Sequence, residues 1–373
     1  MFYYVGKNTT NMNFNLGNKF NTSNVTDMYG VFSNSFTKVT NLNLDLGNYF
    51  DTANVTNMST MFDRYGMNST NLSLNLGNKF NTAKVTDMKN MFSYMGFQSS
   101  TLNLNLGNNF DAGNVKNMYA MFYRVGEVTP NLSIHLGNNF NASNANNMAE
   151  MFSLMGSRSN TFNLNLGNNF NLGQMTVNIN QMFGNAGNKA INWSLDLGNN
   201  FNGSRLKNWS ALFAGLGGNA TNFNFNVGAH FNTINATNMY GTFATMATNA
   251  GTVNISLGNH FNTAKVTDMS MMFGFIGGKA TNFNLNLGNK FNMSNVTNTY
   301  LMFHGAGKKT KTRYTLDLSA GNFAKITNSY KMFYDIADNY VTIYVKDSTA
   351  RSWILNNADD WGVNFSASNV LIK

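Results

Sequence analysis

The chain has 373 residues, of which 43% are hydrophobic and only 11% charged, with one proline and no cysteine. That apolar content argues against disorder, and the absence of thiols excludes disulfides and Cys-ligated metals. The formal net charge is +9, but the lysines are scattered and only Lys308, Lys309, Lys311 and Arg313 lie close together, so a mildly basic solvated surface is expected and nucleic acid is not an expected partner.

The opening residues Phe2-Tyr3-Tyr4-Val5-Gly6 are in register with Phe92-Ser93-Tyr94-Met95-Gly96. The chain thus starts in mid-unit, as a fragment of a longer protein would. Leu-Gly pairs then fall at Leu16-Gly17, Leu46-Gly47, Leu76-Gly77, Leu106-Gly107, Leu136-Gly137 and Leu166-Gly167, a spacing of 30 residues. After one inserted residue the series resumes at Leu197-Gly198, Val227-Gly228, Leu257-Gly258 and Leu287-Gly288, with a degenerate copy at Leu318-Ser319. A fixed period of this size is the mark of a solenoid, in which each unit buries its apolar face against its neighbours.

Each unit has two halves. In the first, Leu72, Leu74 and Leu76 alternate with Asn71, Ser73 and Asn75, which predicts a half-buried strand. In the second, Val85, Met88, Met91, Phe92 and Met95 fall on one stripe of a short helix, with Thr86 or Asp87 near its start and Gly96 at its end. The periodic Met28, Met58, Met88, Met118, Met148, Met239 and Met269 read as core filler. The fold class predicted is an α/β solenoid, leucine-rich-repeat-like, with about eleven 30-residue strand-plus-short-helix units. Outer helices take more room than strands, so the parallel sheet is placed on the concave side. The repeat array spans 1–333, and 334–373 forms a capping unit. In that cap a strand is expected over Val341–Val345, a helix over Ser348–Leu355 with Ser348 as N-cap, and a closing strand at Asn369–Ile372.

No catalytic constellation is legible, and the expectation is that the chain is not an enzyme. The histidines are His135, His230, His260 and His304, and glutamate occurs only at Glu127 and Glu150. No phosphate loop, HExxH motif or Ser-His-Asp set is present. Asp27, Asp87 and Asp268 recur where other units carry Asn, which favours a capping role over calcium. No cofactor and no metal are expected. No apolar run reaches membrane-spanning length, so direct membrane insertion is not expected.

The segment Asn54-Val-Thr-Asn-Met-Ser-Thr-Met-Phe62, with Val-Thr-Asp-Met at 25–28, 85–88 and 266–269, resembles the BspA-like leucine-rich-repeat surface proteins of bacteria. Ile343-Tyr-Val-Lys-Asp347 followed by Ser352-Trp-Ile-Leu355 also looks like the way such arrays end. The unit here is longer than is usual in that family, and Gly-Asn-x-Phe-Asn stands where a Trp often precedes the motif. The resemblance implies a cell-surface, non-enzymatic, adhesive role, with any export signal and anchor outside this chain.

Asparagine fills the outward strand positions. One column is Asn15, Asp45, Asn75, Asn105, His135, Asn165, Asp196, Asn226, Ser256, Asn286 and Asp317; a second runs from Asn13 to Thr315, and a third from Asn11 to Arg313. Stacked amides can bond to one another along a parallel sheet and set its register. The same amides suit sugar hydroxyls or a peptide backbone. Both readings stand on the sequence alone. The binding reading names Asn15, Asp45, Asn75, Asn105, His135, Asn165, Asp196, Asn226, Asn286, Arg313 and Asp317 as ligand contacts, the exceptions Asp45, His135, Asp196, Arg313 and Asp317 above all. The column after the glycine, including Asn18, Asn48, Asn78, Asn108, Asn138 and Asn168, is expected to satisfy backbone groups of the turn. The function expected is adhesion to an extracellular host or neighbouring-cell protein or glycan through the concave sheet. The rival roles are a passive spacer or surface-layer element and, behind those, an ice- or crystal-surface binder.

Overall fold

A computed structural model of the chain describes all residues except 1, 7, 8, 18, 48, 78, 107–109, 173–176 and 229, and omits the side chain of Asn105. The chain forms two compact units, Met1–Phe201 and Asn202–Lys373.

In the first unit the alternating segments are strands, as expected: β1 (Asn11–Asn15), β2 (Asn41–Asp45), β3 (Asn71–Asn75), β4 (Thr101–Asn105), β5 (Asn131–His135), β6 (Thr161–Asn165) and β7 (Asn192–Asp196). They pair in parallel, in the orders β1-β2-β3-β4 and β5-β6-β7. Each residue faces its equivalent one repeat on, for example Leu72 opposite Leu102. The second unit has β8 (Asn222–Asn226), β9 (Thr252–Ser256) and β10 (Asn282–Asn286), again parallel and in register. It closes with β11 (Tyr314–Asp317), β12 (Val341–Val345) and β13 (Val370–Ile372), also parallel, and one helix, α1 (Ser348–Asn357). Its N-cap is Asp347, whose carboxylate accepts the Ala350 N–H at 2.9 Å, and not Ser348.

The second half of each repeat is not helical. Among the described residues α1 is the only α-helix; the segments equivalent to 85–96 are chains of turns. Their hydrogen bonds show why. The N–H groups of Met58, Thr60, Phe62 and Arg64 donate to carbonyls of Asp87, Lys89, Met91 and Ser93 in the next coil. Those of Met61, Asp63 and Tyr65 donate three residues back, to Met58, Thr60 and Phe62. Alternate donors thus serve the neighbouring coil and the local turn, and none is left for a helical ladder. The path needs left-handed residues at regular places, such as Thr60 (φ 55°), Arg64 (φ 55°) and Gly66 (φ 55°). A helix is about 10 Å across and cannot stack at the roughly 4.8 Å pitch of paired strands. These turns do stack near that pitch: Phe32 lies 5.3 Å from Phe62 and Phe62 5.5 Å from Phe92, rings parallel. Each unit is therefore a parallel β-solenoid and not an α/β leucine-rich repeat. The reason for a concave sheet, wide outer helices, goes with the helices.

The apolar stripe was legible although its backbone was not. Val85, Met88, Met91, Phe92 and Met95 are fully buried. So are the periodic methionines from Met58 to Met269, with Trp209 taking the same place in its coil. A second ring column, Phe80–Phe110–Phe140–Phe170–Phe201, stacks at 5.8 to 6.2 Å beneath the strand exits. The second unit repeats the first column from Phe213 through Phe243, Phe273 and Phe303 to Phe333.

Candidate functional site

Outward side chains of the sheet form the columns the sequence predicts, but the columns do different work. The one nominated for ligand contact is largely committed to the backbone. Asn15 Oδ1 accepts the Gly17 N–H at 2.6 Å, Asp45 that of Gly47 at 3.0 Å, and Asn75 that of Gly77 at 3.1 Å. Asn165, Asp196, Asn226 and Asn286 do the same with Gly167, Gly198, Gly228 and Gly288 at 2.7 to 3.0 Å. Asp317 accepts from Ser319. Each is an Asx turn that folds the strand exit back. An acceptor is all the turn needs, so Asp and Asn are interchangeable there, and Asp45, Asp196 and Asp317 are variants of the turn rather than breaks in it.

Asp317 is additionally paired with Lys373. Burial opposes its charge, but hydrogen bonds from Lys373 and Ser319 outweigh that and hold its carboxyl below the usual carboxylate value. His135 is exposed, and its ring nitrogen lies 3.4 Å from Ser133 Oγ. Arg313 is exposed just ahead of β11. Thr312, not Arg313, takes the ladder place beside Asn282, its Oγ1 being 3.3 Å from Asn282 Oδ1. The Asn105 side chain lies outside the described residues, as do Asn18, Asn48, Asn78 and Asn108. In that last column Asn138 Oδ1 accepts the Asn168 N–H at 3.2 Å, the backbone role expected.

Two columns nearer the strand starts are ladders of a different kind. Asn41 Nδ2 donates to Asn11 Oδ1 at 2.6 Å, Asn71 Nδ2 to Asn41 Oδ1 at 2.6 Å, and Thr101 Oγ1 to Asn71 Oδ1 at 2.9 Å. Asn43 Nδ2 donates to Asn13 Oδ1 at 3.2 Å. An amide has two N–H groups and two acceptor lone pairs. A ladder uses one of each, so a second N–H and a second lone pair of each ladder amide are available to the solvent side. Between the two columns runs an open trough of about 410 Å³ across β1 to β4. It is lined by Asn11, Asn41, Asn71 and Thr101 on one side and Asn13, Asn43, Ser73 and Asn103 on the other, with Met12, Leu42 and Leu72 between them, so most of its exposed lining is carbon.

The turn side carries aromatic and charged groups that the strand-centred reading passed over. In the first unit the Tyr94 ring lies between two guanidinium groups, Arg64 at 5.0 Å and Arg124 at 5.5 Å. Arg124 also stands 3.4 Å from Glu127, whose carboxyl burial pushes up despite Arg124 and Arg158. Asp63 is pushed up by burial in the same way, against Arg64 at 3.0 Å. In the second unit Tyr240, Tyr300 and Tyr330 share one column and are exposed. A signal for them existed: tyrosine recurs in the 30-residue register at 240, 300 and 330, two places after Asn238, Asn298 and Asn328, whose side-chain oxygens accept their N–H groups.

Among the described residues no group of three or more His, Cys, Asp or Glu side chains is placed to hold a metal ion. No helix among them is long and apolar enough to cross a membrane. A family described as "Mycoplasma protein of unknown function, DUF285" matches the chain in overlapping stretches, residues 1–99, 65–196, 138–253, 177–313 and 216–344. No curated protein and no solved structure matches it.

Proposed function

We propose, from the premise that the chain belongs to the DUF285 family, that it is a non-enzymatic adhesion module that recognises a polar extracellular polymer, protein or glycan, through the sheet face. The observation that carries this reading is the trough between the two amide ladders of β1 to β4. One wall repeats polar groups at about 4.8 Å along the sheet, held from Asn11 through Asn41 and Asn71 to Thr101 by ladder bonds, and on the other Asn43 is held to Asn13, before any ligand arrives. Little ordering of these side chains is left to oppose binding. The likeness of the Val-Thr-Asp/Asn-Met-x-x-Met-Phe motif to BspA-like surface proteins supports an extracellular setting, which surface proteolysis of intact cells tests.

The proposed site is nearer the strand starts than the Asp45–Asp317 column, in which one side-chain oxygen of each described Asn and Asp closes a turn. The test places bulk in the trough without touching the core. Asn43 is exposed and Ser73 half-buried, both on the outward face. The chain and an Asn43→Trp, Ser73→Arg variant are passed over an array of matrix proteins, mucins and glycans. Saturable binding by the native chain, lost in a variant with an unchanged circular dichroism spectrum, is the expected result. Equal binding by both, or none by either, overturns the sheet-face reading and leaves the ladders as register-setting elements of a spacer.

A further inference from the structure

The turn side of the second unit carries an exposed aromatic strip. Tyr300 and Tyr330 stack across adjacent coils, centroids 5.8 Å apart and planes 13° from parallel. Lys331 places its ammonium 5.2 Å from the Tyr330 ring and 4.7 Å from the Tyr334 ring. Tyr334 continues through His304 at 5.1 Å to Phe275 a further 4.5 Å on. Tyr330 is 56% exposed, and Tyr300, Tyr334 and Phe275 37 to 39%. These are not core residues that failed to bury. Equivalent positions of Tyr300 and Tyr330 hold Ser210 and Ser270, and that of Tyr334 holds Ala244. The coil therefore closes equally well without the rings.

Charge marks the same unit. Residues 202–373 hold 14 Lys and Arg against 7 Asp and Glu, whereas residues 1–201 hold 11 against 9. Lys308 is paired with Asp335 at 2.5 Å, but among the described residues no carboxylate pairs with Lys331. The ammonium has three N–H donors and lies at the centre of an amphipathic aromatic platform.

We propose that this strip is a second binding site, for an acidic polysaccharide chain bearing uronate carboxylates. The C–H edge of a pyranose ring packs against exposed tyrosine, its hydroxyls meet the phenol O–H groups, and its carboxylate meets Lys331. Single-stranded nucleic acid fits less well. A flat base needs a whole open ring face, and here Tyr300 and Tyr330 cover each other while Lys331 covers Tyr330 and Tyr334; the exposed tyrosine edges that remain suit the narrower C–H and hydroxyl rim of a sugar.

The test uses the full chain and hyaluronan at about 0.15 M salt, where loose polyelectrolyte attraction is screened. Neutral dextran and a single-stranded oligothymidylate are the comparison ligands. Two variants borrow residues from other coils: Tyr300→Ser, Tyr330→Ser, Tyr334→Ala, and Lys331→Gln, after Gln181, which stands at the same repeat position. Saturable hyaluronan binding is expected, weakened about tenfold or more by the tyrosine variant and severalfold by Lys331→Gln, with melting unchanged in both. No binding, equal binding by the tyrosine variant, or equal affinity for the oligothymidylate would each overturn the assignment.

Discussion

Lys84 Nζ donates to Asn54 Oδ1 at 2.7 Å across one coil, while Asn54 Nδ2 donates to the Ser23 carbonyl at 2.8 Å. The pattern recurs in the second unit, where Lys265 serves Asn235 and Lys325 serves Asn295. This column reads Asn24, Asn54, Lys84, Asn114 and Asn144, then Arg205, Asn235, Lys265, Asn295 and Lys325. All are donors, and none is acidic. Three places on, the column Asp27, Asn57, Asp87, Asn117 and Asn147 accepts backbone N–H groups, as from Tyr29, Ser59 and Lys89. There Asp and Asn alternate freely. Hydrogen-bond polarity, not charge balance, sorts the side chains.

Lys84→Asn is therefore expected to leave stability within about 0.5 kcal/mol, since asparagine already serves this column. Lys84→Glu sets a carboxylate against an oxygen that the Ser23 bond holds in place, and should cost about 0.5–1.5 kcal/mol. Asp87→Asn should be near neutral. Urea denaturation of the three variants checks the order; an equal loss for Lys84→Asn and Lys84→Glu would remove the polarity rule.

How far the sequence could be read follows the same division. The strands, their register and the buried stripe were legible because side chains alternate visibly between Leu and Asn. The turn path was not. Met88, Met91, Phe92 and Met95 face inward in a helix and in this coil alike, and the difference lies in which carbonyl each N–H meets. That partner sits a whole repeat away, as when Phe62 N–H meets the Met91 carbonyl at 2.8 Å. Nor do the left-handed places announce themselves, for Thr60, Asn90, Ala120, Glu150 and Gln181 occupy one of them without a glycine. The site was half legible. Asparagine columns could be drawn, but nothing in the letters said that Asp45 would be tied to Gly47 and Asn41 to its neighbours Asn11 and Asn71. Arg313 was misplaced because the extra residue in its coil falls between Thr312 and Asp317.

Those non-glycine left-handed residues make a stability prediction. An L side chain in that region costs about 1–2 kcal/mol, and glycine gives back about 0.5–1 kcal/mol through its freer unfolded chain. Gln181 is exposed with φ 51°. Gln181→Gly should therefore raise stability by a few tenths to about 1 kcal/mol. A lower melting temperature for this variant would mean that its side chain contributes more than its exposure suggests.

Strand-exit glycines separate two effects that are usually confounded. Gly258 and Gly288 have nearly the same φ, 69° and 76°. A Cβ on Gly258 would stand 3.5 Å from the Gly228 carbonyl oxygen, an ordinary contact. On Gly288 it would stand 2.2 Å from the Gly258 oxygen, an overlap with backbone. Gly258→Ala should cost a few tenths to about 1 kcal/mol, the left-handed strain less what a stiffer unfolded chain gives back. Gly288→Ala should cost clearly more, because the neighbouring coil must shift. Equal losses by urea denaturation would show that the coils yield freely at this corner.

Two carboxylates predict opposite responses to acid. Burial raises the Glu127 pKa above its ordinary 4.5, with Arg124, Arg158 and Ser157 only partly opposing it. The fold thus favours its neutral form, and its contribution to stability grows as pH falls from neutral through the raised value, levelling below 4.5. Asp317 is held below its ordinary 3.8, because Lys373 and Ser319 outweigh its burial. Its contribution is complete above 3.8 and is lost as pH falls toward the depressed value. Melting temperatures of the native chain are to be compared with Glu127→Gln and Asp317→Asn from neutral pH down to about pH 3, a window spanning both ordinary carboxylate values. The native chain should gain on the Glu127→Gln variant toward acid and lose its margin over the Asp317→Asn variant near the bottom of the range. If both differences ran in the same direction, one carboxylate would be surrounded otherwise than these contacts imply, and the reversed difference would show which.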